Sequence, residues 1–132
     1  MFQNAIEKLA DCVVIQTEVE FLPMYIGQPL FSDIDQFLRQ HGFVLHCFFP
    51  LTSRTIKPLL VNNDIYAGLN QVFWADAIFV RDFTNLEALK DEQLLPMAIV
   101  MHDVYKSFDL VLRLLLEYDS RHKTRLAIRY MA

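Results

Sequence analysis

The sequence predicts an α/β fold of about three strands with flanking helices and a C-terminal helical hairpin. Three observations lead there. Runs rich in β-branched and aromatic residues stand at residues 13–21, 43–49 (FVLHCFF) and 71–83 (QVFWADAIFVRDF), and each suits a pleated strand. Between the first two, Ile34, Phe37 and Leu38 recur at i, i+3 and i+4, the stripe of a helix, so the segment reads as a β-α-β unit. From Asn85 onward the apolar positions keep helical spacing.

Each element follows from local chemistry. Phe2, Ile6, Leu9 and Ala10 give a short amphipathic helix. Val13, Val14 and Ile15 open a strand suited to burial on both faces. Along it Val13, Ile15, Thr17, Val19 and Phe21 share one face, and Val14, Gln16, Glu18 and Glu20 the other. The second face starts apolar and ends acidic, the pattern of a strand that leaves a core for a cleft or for solvent. Pro23 breaks it. Ser32 is placed to cap a helix over about 33–41, with Asp33 and Asp35 in its first turn, where they complement the helix dipole.

Gly42 supplies the left-handed residue that ends this helix, and a right-handed crossover then sets the 43–49 strand parallel to the first. Residues 50–70, with Pro50, Pro58, Asn62-Asn63-Asp64 and Gly68, read as irregular. The third strand follows through that loop and not through a helix, which leaves antiparallel pairing as natural as parallel. Beyond it come one turn at 87–90 and a helix over 94–106 with Pro96 in its first turn. Ser107 caps the next helix, which turns Phe108, Val111, Leu112 and Leu115 inward and Arg113 and Glu117 outward, and a last turn covers 125–131.

Bulk properties narrow the function classes. At 132 residues the chain is one domain's worth of sequence, long enough to bury a core. Mean hydropathy is +0.24, yet no run approaches the ~20 apolar residues of a membrane span, and LVLRLLLEY is broken by Arg113. Glu7 and Asp11 interrupt anything like a signal peptide, so the chain is read as cytoplasmic, with no membrane partner. A net charge of −4 argues against nucleic acid, and the basic stretch RHKTRLAIR reads as a solvated helix face or tail. Cys12 and Cys47 read as small buried hydrophobes.

Candidate chemistry gathers at the end of the first strand, because open α/β sheets bind ligands at the carboxyl ends of their parallel strands. Glu18 and Glu20, two residues apart on one face, are the candidate catalytic bases, weighed against solvated or ion-paired carboxylates facing Arg54, Lys57 or Arg81. Tyr25 and Gln28 offer a hydroxyl and an amide for substrate binding. His41, His46, His102 and His122 lack zinc-site spacing, and His46 and Cys47 point to opposite faces of a strand. Trp74, Phe73, Phe79 and Phe83 have no interleaved cations and read as core. The three glycines, Gly27, Gly42 and Gly68, form neither GxGxxG nor a P-loop.

EVEFLPMYIGQPLFSDIDQFLRQHGF, followed by WADAIFVRD, resembles the C-terminal part of FkbM-type S-adenosylmethionine-dependent methyltransferases. The resemblance runs from about Val13 into the helical end. It implies a partial Rossmann-like, class I methyltransferase sheet whose last strand is antiparallel, and O-methylation of a sugar or small-metabolite hydroxyl. It also implies residues 1–83 as the C-terminal half of the α/β domain, with residues 84–132 as a helical extension packing on it. The 50–70 segment becomes a flap on the substrate side. The family's cofactor-binding half would precede this segment, so S-adenosylmethionine is implied as cofactor but is not expected to bind this chain alone. The alternative is a non-enzymatic α/β interaction module or split-enzyme fragment that pairs with another chain, or with itself, through an exposed sheet edge.

Overall fold

The computed structural model describes residues 2–132; Met1 and the side chains of residues 2–4, Phe2 of the amphipathic stripe among them, lie outside the described residues. The elements run α1 (Phe2–Leu9), β1 (Val14–Glu20), α2 (Phe31–Gln40), β2 (Phe43–Ser53), β3 (Val72–Arg81), a 3-10 segment (Phe83–Ala88), α3 (Asp91–Asp103), α4 (Phe108–His122) and α5 (Leu126–Met131). They divide into two compact units, Ile15–Phe79 and the pair of segments Met1–Val14 with Val80–Ala132.

In the unit Ile15–Phe79 the sheet order is β1-β3-β2. Phe21 pairs with Phe73, Val13 with Arg81, and Arg54 with Gln71, so β3 is antiparallel to both neighbours. The expected parallel direction of β1 and β2 holds, but they are not adjacent, and every hydrogen-bonded pair in the sheet is antiparallel. Composition explains the insertion. β3 carries Ala75, Ala77, Ile78 and Phe79, all fully buried, as a central strand must. β1 exposes Gln16 and Glu18, so it is not buried on both faces as Val13–Ile15 suggested. β2 carries Pro50, whose missing N–H is tolerated on an edge, and so the strand runs through the proline to Ser53 instead of stopping at Phe49.

Helix α2 starts two residues before the predicted boundary. Its N-cap is Leu30, not Ser32, and the Asp33 carboxylate accepts the Leu30 backbone N–H at 2.9 Å, the acidic half of a capping box. Ile34, Phe37 and Leu38 form the inward stripe, with Leu38 buried, and Gly42 at φ +85° ends the helix as expected.

The β2–β3 connection is ordered by its own bonds. Thr55 N–H and hydroxyl both donate to the Ala67 carbonyl, at 3.1 and 3.0 Å. At its tip Val61 and Asp64 bridge around Asn62 and Asn63, both at positive φ, a turn of the type that matches strand twist. A Cβ on Gly68 would come within 2.7 Å of the Ser53 carbonyl oxygen. Gly68→Ala is therefore expected to lower stability by about 2 kcal/mol in a urea titration, with the loss caused by overpacking.

In the other unit α3 and α4 form the predicted hairpin, closed by Lys106 at φ +56° and a Ser107 N–H bond to the Met101 carbonyl at 3.0 Å. Its core is Leu94, Met97, Met101, Leu110, Val111 and Leu114. Phe108 is exposed, contrary to expectation, because the buried stripe of α4 is Leu110, Val111, Leu114 and Leu115. α3 begins at Asp91, which moves Pro96 into the second turn; the ring is exposed there, where the carbonyl deprived of its partner can meet water. Arg81 donates to the Cys12 carbonyl at 2.8 Å and also to those of Leu9 and Ala10, the last shared with the Gln93 side-chain amide.

The basic tail is not uniformly solvated. Arg121 is mostly buried and donates to Glu117, Asp91 and the carbonyls of Leu86 and Leu89, all at 2.8–2.9 Å. Asp119 caps α5, accepting from the Leu126 and Ala127 amides at 2.9 Å and from the Thr124 hydroxyl. No helix among the described residues is long and apolar enough to cross a membrane.

Candidate functional site

The strand end that the sequence singled out is held by aromatic packing. Phe21, the residue after β1, lies 5.5 Å from Phe31 at the start of α2 and 5.5 Å from Phe48 of β2, and Phe31 also stacks on the buried Phe79 at 6.5 Å. The cluster ties together both ends of the loop 22–30. Within that loop Gly27 takes φ +77°, and Gln28 folds back so that its side-chain oxygen accepts the Met24 N–H at 2.6 Å.

Three of the four predicted site residues converge. Glu20 is half-buried and Glu18 is exposed; the two carboxyl groups are close enough to interact, and Gln28 approaches Glu20 from the loop. Burial lifts the Glu20 pKa above the ordinary 4.5; the proximity and the charge of Glu18 add to the rise, and Gln28 offsets part of it. Tyr25 stands apart. Its ring is exposed, and it meets the others only through its carbonyl, which accepts the Gln28 N–H at 3.4 Å. Tyr25 and Gln28 line one open depression of ≈ 440 Å³ with Pro23, Met24, Ile26 and Gly27. The arrangement is a carboxylate pair beside an amide-bearing loop. It can hold a proton above the usual glutamate range and accept hydrogen bonds from a hydroxyl.

The ion-paired alternative for these glutamates does not occur: among the described residues neither forms a salt bridge, Arg81 turns to the Leu9–Cys12 carbonyls, and Arg54 lies over Trp74 at 4.9 Å and Tyr66 at 5.7 Å. That cation–π arrangement was not legible in the sequence, since Arg54 and Trp74 meet only once β2 and β3 pair. Gln16 reaching Asp76 at 3.2 Å is of the same kind. Also unforeseen is a cavity of ≈ 350 Å³ between α3, α4 and α5, lined by Leu95, Ala98 and Val111, with His102 Nδ1 and the Tyr130 hydroxyl 2.8 Å apart at its polar side. Cys47 is exposed and not buried as expected, and desolvation of its thiol raises the pKa. Among the described residues no three His, Cys, Asp or Glu side chains group as they would around a metal ion.

A raised carboxyl pKa has a sign for stability. A folded state that binds the Glu20 proton more tightly than the unfolded chain loses stability as pH rises from 4.5 through the folded pKa. Glu20→Gln is therefore expected to raise the melting temperature at pH 7 and to leave it unchanged near pH 4; an equal gain at both pH values would refute the charge effect.

The residues do not fit S-adenosylmethionine. Gly42 is used to end α2, Gly68 is pressed on Ser53, and Gly27 belongs to a single-glycine turn, so no glycine-rich turn brings backbone amides up to a nucleotide. Fold and site together define a small α/β protein with an antiparallel sheet and a strand-end carboxylate pair. Comparison with models of known protein families, with curated proteins and with solved structures gives no match for the chain.

Proposed function

We propose that the chain is the C-terminal, substrate-side portion of an O-methyltransferase whose Rossmann-like sheet continues beyond β1, with Glu18 and Glu20 receiving a sugar or small-metabolite hydroxyl. One observation carries the reading: the two edges of the sheet are unlike. β2 bears Pro50, a usual guard of a true edge, whereas β1 has seven residues with no proline or lysine, four of them β-branched. Its backbone edge lacks those guards and is open to a further strand, although Gln16 and Glu18 are exposed, and its carboxyl end is where the acidic pair sits. An antiparallel final strand, as β3 is, is also what the resemblance implies.

In this reading the half-buried Glu20 takes the hydroxyl proton, Glu18 sustains its basicity, and Gln28 fixes its orientation. Titration of the labelled chain with a panel of monosaccharides and small polyols tests it. Amide shifts should gather at Glu18, Glu20, Tyr25 and Gln28, and Glu20→Gln should abolish them. A panel that moves none of the four removes the proposal. S-Adenosylmethionine added to the chain alone should give no heat in calorimetry.

The second reading, a non-enzymatic module that pairs with another chain, is favoured by the exposed apolar side chains of the β2–β3 connection. It predicts no response to any hydroxyl compound.

A further inference from the structure

The cavity of ≈ 350 Å³ between α3, α4 and α5 is built within one of the two units alone. Its walls are aliphatic, from Leu95, Ala98, Ile99, Val111 and Leu115. Ala98, Val111 and Leu115 are buried, so the floor reaches the core of the helical unit. The polar side chains of the lining are His102, Asp103 and Tyr130. A mostly apolar recess of this size with a few converging polar groups is the usual form of a small-molecule site.

The polar groups specify what fits. His102 Nδ1 is occupied by the Tyr130 hydroxyl at 2.8 Å, and Nε2 forms no hydrogen bond among the described residues. In one tautomer of the neutral ring the tyrosine donates to Nδ1, which leaves Nε2–H as a donor and the tyrosine oxygen as an acceptor. In the other, Nδ1–H donates to the tyrosine, which leaves Nε2 as an acceptor and the phenolic O–H as a donor. A hydroxyl both donates and accepts, so it can pair with either position in either tautomer. Asp103 puts a carboxylate in the lining, which disfavours an anion. The pair is also set before any ligand arrives. The His102 ring is flanked by Phe108 at 5.3 Å and Tyr130 at 5.5 Å, and Asp119 holds the start of α5, the helix that carries Tyr130. An engineered apolar cavity of about 150 Å³ holds benzene, which scales to a ligand of roughly ten non-hydrogen atoms here. We propose that this cavity binds a small neutral alcohol through its hydrocarbon body, with the alcohol's hydroxyl on the His102–Tyr130 pair.

Titration of the isotope-labelled full chain with 1-octanol, followed by amide shifts, tests this. Shifts should gather at Ala98, His102, Val111, Leu115 and Tyr130 with a dissociation constant below about 1 mM, and octanoate should bind at least about tenfold more weakly. Asp103→Asn should narrow that difference. Ala98→Leu, which fills the cavity, should abolish the response. Where that variant does not fold, His102→Leu combined with Tyr130→Phe removes both members of the pair and leaves neither unpaired; it should raise the octanol dissociation constant about tenfold. No response up to the solubility limit of 1-octanol would overturn the proposal. So would shifts as strong over the exposed apolar residues 49–69 as at the cavity, octanoate binding as tight as octanol, or an affinity indifferent to the double replacement. Hydroxyl binding at Glu18 and Glu20 is read at different amides, so either site can fail without the other.

Discussion

Phe79→Ala should cost about 4 kcal/mol of folding free energy, the largest single-residue loss expected in this chain. Phe79 is fully buried in the central strand, and its ring stacks on Phe31, which in turn holds Phe21 and Phe48 at 5.4–5.5 Å. Truncation removes the ring's transfer free energy and leaves a cavity that β3 cannot close, since it is paired on both sides. A domain stable by about 5–15 kcal/mol would keep only a fraction of that. The urea midpoint should fall steeply while the m-value stays constant. The loop 22–30 reports the same loss, because its two ends lean on this cluster; amide exchange at Met24 and Gln28 should quicken in the variant. A loss below about 1 kcal/mol would mean that the cluster is not the core of this unit.

Arg121→Ala ranks second, at about 3 kcal/mol. The guanidinium joins three segments: Leu86 and Leu89 through their carbonyls, Asp91 at the start of α3, and Glu117 one turn back on α4. Removing it strips two mostly shielded carbonyls of their donor and releases two carboxylates, and each lost charged bond matters more than a neutral one. Arg121→Lys should recover less than half, since an ammonium cannot reproduce the planar fork that spans four acceptors. Thermal unfolding of the three proteins at pH 7 gives the comparison.

Acid should weaken the same region. The bond from Arg121 holds Asp91 below the ordinary 3.8, with His122 contributing. At Asp119 desolvation pushes upward, but bonds from Thr124, Ala127 and Leu126 outweigh it and lower the pKa. Carboxyls with depressed folded pKa values stabilise fully above 3.8 and lose that contribution as pH falls through the folded values.

Local order was legible where short-range chemistry decides it. Composition places the three strands close to where they lie, and spacing gives the α2 stripe with its Gly42 stop and the α3–α4 hairpin with its break before Phe108. The start of α2 is not legible from capping side chains: Ser32 has the better one, yet Asp33 reaches back to Leu30 and fixes the cap there. Phe108 differs for another reason: helical spacing identifies a stripe but allows neighbouring ones, and packing against α3 chooses Leu110 and Leu114. At the candidate site, the closeness of Glu18 and Glu20 follows from strand period alone. The return of Gln28 to Glu20 depends on the Gly27 turn and on the aromatic brace behind the loop.

The sequence by itself determined the elements, the inward stripe of α2 and the acidic end of β1, since all of these depend on contacts within a few residues along the chain. Only the tertiary structure decided that β3 lies between β1 and β2, that Arg121 is an internal tie, that Arg54 rests on two rings and that Gln28 meets Glu20. Strand order and hydrogen-bond partners are chosen by competition among distant segments for burial and for donors, and that competition leaves no local pattern in the chain to read.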